Sequence, residues 1–195
     1  MRKRGNLYVF TGPSGTGKGT ILSEVLGKDK NLYLSVSATT RTPREGERDG
    51  VHYYFLTQER FEERIAAGAF LEYAQYVGNY YGTLEGPVND QLEAGNDVVL
   101  EIEVQGAMQI HEKRPDAVMI FVAPPSMEEL ERRLKGRGTE SEDKIRHRME
   151  TAEKEMTYAD RFDYIIVNDD LACAIDDLMA ILRAERCRNK PLNFK

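Results

Sequence analysis

Two cysteines and three histidines are too few and too scattered to build a metal centre. Cys173 and Cys187 stand apart in a C-terminal stretch of helical pattern, without CxxC spacing, and are expected to be reduced and structural. His52, His111 and His147 occur singly, as surface or locally bonded imidazoles do. Long hydrophobic runs are also missing. The longest, near 117–122, is far too short to cross a bilayer, and no apolar stretch of a signal peptide follows Met1-Arg2-Lys3-Arg4, so we expect a cytoplasmic protein with no membrane partner. An excess of positive charge is lacking too. Lys+Arg 27 against Asp+Glu 33 leaves a net charge of -6, which argues against a nucleic-acid binder with a broad basic face.

What is present suits one compact domain of 195 residues, 41% hydrophobic and 31% charged, with no low-complexity tract and no internal repeat. Leu7-Tyr8-Val9-Phe10 is a short β-prone run that ends in a glycine-rich turn, after which Ile21, Leu22, Val25 and Leu26 recur at helical spacing. The runs 97–102, 117–122 and 164–167 read as further buried strands, each followed by a helical pattern, and this alternation predicts a parallel sheet. Ser126 with Glu129 predicts a capping box, and Asp170 a helix cap. Two stretches break the alternation: the polar, strand-rich segment 37–86 and the charged helical segment 136–158, both read as insertions carrying function.

Gly12-Pro13-Ser14-Gly15-Thr16-Gly17-Lys18 follows a strand and opens a helix, the context in which GxxxxGK cradles a phosphate. Backbone N–H groups freed of side chains wrap the anion, the helix dipole favours it, and the lysine reaches the β- and γ-phosphates of a nucleotide. Gly19 stands where the common motif has a hydroxyl ligand for Mg²⁺, with Thr20 one residue later. The expected magnesium partners are therefore nucleotide oxygens, water and Glu101, an acidic residue at the ligand edge of the sheet. No Gln, His or Asp arrangement for activating water is evident, which suits an acceptor that is already an ionised phosphate.

The stretch Ser37-Ala38-Thr39-Thr40-Arg41-Thr42-Pro43-Arg44-Glu45-Gly46-Glu47, with Asp49-Gly50-Val51-His52-Tyr53, resembles the acceptor site of the guanylate kinase family. Phe70-Leu71-Glu72-Tyr73, Gly78-Asn79-Tyr80-Tyr81-Gly82-Thr83, Leu100-Glu101-Ile102-Glu103-Val104-Gln105-Gly106-Ala107 and Gly136-Arg137-Gly138-Thr139 match the same family in the same order, over nearly the whole chain. The resemblance implies a P-loop kinase fold of class α/β: a parallel core sheet flanked by helices (about 5–36, 87–135 and 159–186), a mixed GMP-binding insertion (about 37–86) and a helical lid (about 136–158). It implies transfer from ATP, with Mg²⁺, to GMP or dGMP, and leaves oligomeric state open.

Carried over by residue, the resemblance puts ATP on Gly12, Pro13, Ser14, Gly15, Thr16, Gly17, Lys18, Gly19 and Thr20, with Arg133, Arg137 and Asn168 completing that side. It puts the GMP phosphate on Arg41, Arg44, Tyr53 and Tyr81, and the guanine near Ser37, Glu72, Thr83 and Glu103, the last standing where many members have Asp. Lys18, Arg41, Arg137 and Arg148 are the expected catalytic set, Arg133, Arg137 and Arg148 being lid arginines that swing over the joined phosphates. Guanine offers adjoining N1–H and N2–H₂ donors that one carboxylate accepts together, and adenine does not. The rival of another class is a scaffold module that binds a protein segment in the former GMP cleft. Such modules lose the ATP side, whereas Lys18 and its glycines are present here.

Overall fold

The computed structural model describes residues 4–136 and 141–188. Strand β1 (Leu7–Thr11) runs into helix α1 (Lys18–Lys28). Three short strands follow, β2 (Leu32–Leu34), β3 (Ala38–Thr39) and β4 (Tyr54–Phe55), then α2 (Gln58–Ala66), a hairpin of β5 (Phe70–Tyr76) and β6 (Asn79–Leu84), and α3 (Glu85–Glu93). The chain continues through β7 (Asp97–Glu101), α4 (Val104–Lys113), β8 (Val118–Ala123), α5 (Met127–Lys135), α6 (Glu142–Met156), β9 (Tyr164–Val167) and α7 (Leu171–Cys187).

Five strands form a wholly parallel sheet in the order β2-β7-β1-β8-β9. Because successive side chains point to opposite faces of a strand, β1 divides its residues between two cores. Tyr8 and Phe10 pack with Ile21, Leu22 and Val25 of α1 and with Ile175, Leu178 and Leu182 of α7. Leu7 and Val9 pack on the other face with Val88 and Leu92 of α3 and Ala107 and Ile110 of α4. A sheet covered on both faces needs the near-continuous apolar strands read from the sequence. The α/β class is therefore as expected, and β2, a three-residue edge strand, is an addition to the strands that the sequence pattern announced.

The expected caps are also present. Ser126 Oγ accepts from Glu129 N at 3.1 Å and Asp170 Oδ1 from Cys173 N at 2.9 Å. Glu129 does not turn back to complete a capping box; its carboxylate takes Arg132 and Arg133 instead. Both cysteines are free and exposed, and His52 Nδ1 accepts locally from Arg48 N at 3.0 Å.

A second sheet, β4-β3-β6-β5, is mixed: β3 pairs parallel with β4 and antiparallel with β6, and β5 with β6 is an antiparallel hairpin. It has its own small core, where the Phe61 ring stacks on Phe70 at 4.3 Å and on Tyr80 at 5.1 Å. Helix α6 leans on α5 through Ile145, Ala152, Leu130 and Leu134. Among the described residues no helix is long and apolar enough to cross a membrane.

Candidate active site

The phosphate loop is shaped by what its glycines leave out. Gly12, Gly15 and Gly17 all have positive φ (143°, 97° and 88°), and a Cβ on Gly12 would stand 2.1 Å from the Val122 carbonyl oxygen. One on Gly17 would meet the Asn168 amide nitrogen at 2.5 Å. The loop therefore closes against β8 and the end of β9 and presents its N–H groups at the start of α1. Thr16 is fully buried and spends its hydroxyl on the Pro13 carbonyl at 2.9 Å, while Ser14 is exposed at the loop's outer turn. Lys18 Nζ folds back onto the Gly12 and Pro13 carbonyls at 2.5 and 2.9 Å. Burial lowers its pKa, an effect opposed by Glu101, Glu155 and Glu103.

Glu101 ends β7 directly beside Phe10 of β1, with its carboxyl pKa raised by desolvation and lowered in part by Lys18. A Cβ on Gly19 would lie 3.6 Å from Glu101 Oε1, so the carboxylate stands over the first turn of α1. One carboxylate beside a phosphate loop suits Mg²⁺, which keeps most of its water and shares phosphate oxygens. Among the described residues no cluster of three or more His, Cys, Asp or Glu makes a protein-only metal cage.

The second sheet supplies the other half. In β5 the pairing with β6 slips between Phe70 and Glu72: Phe70 lies opposite Leu84, yet Glu72 lies opposite Thr83. This bulge lets Phe70, Leu71 and Glu72 all be buried, and it brings the Glu72 carboxylate onto the Thr83 hydroxyl, which donates to Oε1 at 2.7 Å. Burial raises the Glu72 pKa, and the bond from Thr83 opposes that rise. Ser37, Tyr53, Tyr81, Glu103 and Gly106 join Glu72 around a cavity of about 280 Å³.

Two of the residues lining this cavity, Tyr53 and Tyr81, meet edge to face at 6.3 Å, and the Arg41 guanidinium lies 5.5 Å from the Tyr53 ring centre. Arg41 Nη2 donates to Glu47 Oε1 at 2.8 Å, and Glu47 Oε2 accepts from Arg44 N at 2.7 Å. These bonds depress the Glu47 carboxyl to about 2. Arg44 itself is exposed beside this loop.

A neighbouring cavity of about 370 Å³ is lined by Gly12, Ser14, Lys18 and Glu155 and shares Tyr53, Glu101, Ile102 and Glu103 with the first. The phosphate loop and the Glu72 pocket thus face one another across a common wall. A third cavity, of about 830 Å³, is bordered on one side by Lys144, His147, Arg148 and Thr151 of α6. Arg133 is tied to Glu129 and to the Asn168 carbonyl (2.7 and 2.9 Å), and the Asn168 amide, largely buried, donates to the Thr16 carbonyl at 2.7 Å. Both residues therefore brace the loop. Arg137 lies outside the described residues.

A family model described as guanylate kinase matches residues 4–185. The chain belongs to the guanylate kinase family. Guanylate kinases of Desulfitobacterium hafniense and of Caldanaerobacter subterraneus are each 50% identical to it, over 100% of this chain and 98% and 96% of theirs. The crystal structure of guanylate kinase from Anaplasma phagocytophilum superposes with a TM-score of 0.74 at 33% identity, covering 96% of this chain and 89% of that one.

Sequence reasoning passed over three residues of this guanylate kinase family site. Glu155 of α6 reaches the Lys18 cavity, where burial raises its pKa to about 7. Glu47 holds Arg41, and Gly106 faces Glu72. Glu47 and Gly106 lie inside motifs quoted above, but as spacers; Glu155 is one charge among many on a charged helix, and nothing in its spacing singles it out.

Proposed function

We propose that the two joined cavities catalyse the guanylate kinase reaction, in which the γ-phosphoryl group of ATP passes to GMP and leaves ADP and GDP. The protein is an ATP-dependent nucleoside monophosphate kinase. The observation that carries the mechanism is the shared wall of Tyr53, Glu101, Ile102 and Glu103, which lets a nucleotide on the phosphate loop and a nucleotide on Glu72 meet phosphate to phosphate.

In this reading the loop 12–17 holds the ATP phosphates through its backbone, and Lys18 leaves its carbonyl partners to meet the β- and γ-oxygens. Arg41, Arg44, Tyr53 and Tyr81 grip the GMP phosphate, Arg41 with a guanidinium already oriented by Glu47. Glu72, with Thr83 behind it, accepts N1–H and N2–H₂ of guanine, while Ser37 and Glu103 border the same pocket. Glu101 and nucleotide oxygens would hold Mg²⁺, whose charge offsets that of the bridging phosphate oxygens.

A GMP phosphate oxygen bonds to the γ-phosphorus as the bond to the β–γ bridging oxygen breaks. The electron pair leaves with ADP, and no base is required because the acceptor is already ionised. Arg148, with the α6 segment as lid, supplies positive charge to the group in flight and helps to exclude water. A coupled assay of ADP release with GMP, dGMP, AMP, UMP and CMP tests the reading: rapid turnover is expected with GMP and dGMP and almost none with the rest. Comparable turnover of AMP would refute it.

A further inference from the structure

Helix α4 is stitched along β5 by one face. Gln109 bonds to Tyr73 in both directions, accepting from its N–H at 3.3 Å and donating to its carbonyl at 3.1 Å. Lys113 Nζ donates to the Leu71 carbonyl at 3.0 Å and to that of Phe70 at 3.4 Å. Residues 106, 109 and 113 share a helix face, so the stripe that carries these ties continues up to Gly106 at the first turn of α4. There the helix meets Glu72. A Cβ on Gly106 would stand 2.7 Å from Glu72 Oε2, 3.2 Å from its Cδ and 3.4 Å from its Cγ, so its three nearest neighbours would all be atoms of that one side chain.

We propose that Gly106 is a specificity-determining position: its missing side chain leaves the room in which the Glu72 carboxylate faces the base. The inference rests on the function proposed above. Glu72 cannot swing aside freely, because Oε1 is held by Thr83 and the residue is buried. An added methyl group would therefore push on the one oxygen not held by Thr83. Gly106 has no positive φ that would forbid alanine, and alanine is the better helix former, so the backbone has no reason of its own to require glycine here. Gly106 acts through Glu72 and is a positioning residue.

The test compares GMP with inosine 5′-monophosphate, which lacks the 2-amino group and gives a carboxylate only N1–H to accept. In Gly106→Ala, KM for GMP should rise about tenfold or more and the preference for GMP over inosine monophosphate should fall by a similar factor. The ATP KM and the kcat at saturating GMP should change little. Glu72→Asp combined with Gly106→Ala, whose carboxylate is shorter by one methylene, should recover part of the preference relative to Gly106→Ala alone. Gln109→Ala, which loosens the helix without touching the carboxylate, should keep it.

An unchanged preference in Gly106→Ala, or an equal loss in Gln109→Ala, overturns the proposal. If Gly106→Ala does not fold but the double variant does, the clash with the carboxylate is upheld; if neither folds, the proposal fails. A wild-type enzyme that turned over GMP no faster than AMP would instead overturn the kinase reading itself.

Discussion

Arg148 of α6 donates from Nη2 to the hydroxyl of Ser14 at 2.6 Å, joining helix and phosphate loop across 134 residues of chain. A guanidinium at that place stands beside the loop proposed to hold the ATP phosphates, and its planar fork suits the equatorial oxygens of a transferring phosphoryl group. Arg148→Ala is expected to lower kcat by roughly 10³-fold, as loss of comparable arginines does, while GMP affinity, which the proposed site assigns to Arg41 and Arg44, changes little. Steady-state kinetics with calorimetry of GMP would decide it. Normal turnover would make Arg148 a surface charge that merely bonds to Ser14.

In the proposed reaction Lys18 serves the other nucleotide. Lys18→Ala should reduce kcat by about 10²-fold or more, the usual loss when one preorganised donor to a developing charge is removed. GMP binding should survive, since Lys18 does not line the Glu72 cavity. Retained ATP transfer in this variant would remove Lys18 from the reaction.

The base pocket makes a separate claim. Glu72→Gln leaves the Thr83 hydroxyl a partner but offers guanine one acceptor where it brings two adjoining donors. The mismatch should cost about 1–3 kcal/mol of binding, seen as a higher KM for GMP with the ATP KM unmoved. Unchanged GMP kinetics would exclude Glu72 from base recognition.

The parts legible in the sequence are those whose physics is local. The turn of Gly12, Gly15 and Gly17, the caps at Ser126 and Asp170 and the apolar runs of β1, β7 and β8 declare themselves through φ demands, hydrogen-bond needs or burial. Strand β2 does not, because three residues at a sheet edge carry too short a pattern. The Glu72 to Thr83 contact depends on a bulge, and a shift of register leaves no mark in spacing. Glu155 is placed by the packing of α6, and Gly106 matters only because β5 passes over it. Such long-range facts come from the assembled fold.

Glu155 gives a pH dependence of known sign. Its carboxyl titrates near 4.5 ordinarily and at about 7 here, raised by burial and by Glu103 and lowered by Lys18. The folded protein thus holds this proton more tightly than the unfolded chain does. The resulting stability is full below pH 4.5 and is lost as the pH rises through 7. Glu155→Gln, neutral throughout, should show a melting temperature that falls less between pH 5 and pH 8 than that of the wild type. Thermal melts across that range with matching pH profiles in the two proteins would mean that Glu155 does not titrate there.

Glu47 poses a choice between two roles that the geometry can decide. As a competitor it would occupy Arg41 and have to be displaced by the GMP phosphate; as an orienter it would hold Arg41 in place for that phosphate. Arg41 gives Nη2 to Glu47 and Nη1 to the Thr42 carbonyl, both at 2.8 Å. A guanidinium has five N–H donors, so it can grip a phosphate oxygen without surrendering these partners. Glu47 also takes the Arg44 N–H, which ties both arginines into one loop. The orienting role is therefore favoured. Its pKa, depressed to about 2 by Arg41, means that the tie is complete above pH 4.5 and fails only as the pH falls towards 2, so GMP affinity between pH 6 and pH 9 should not follow Glu47. Glu47→Gln should weaken GMP binding severalfold, Glu47→Ala more, because glutamine can still accept the Arg44 N–H. Neither should alter the ATP KM. Calorimetric titration separates the roles by sign: tighter GMP binding in Glu47→Gln would identify Glu47 as the competitor.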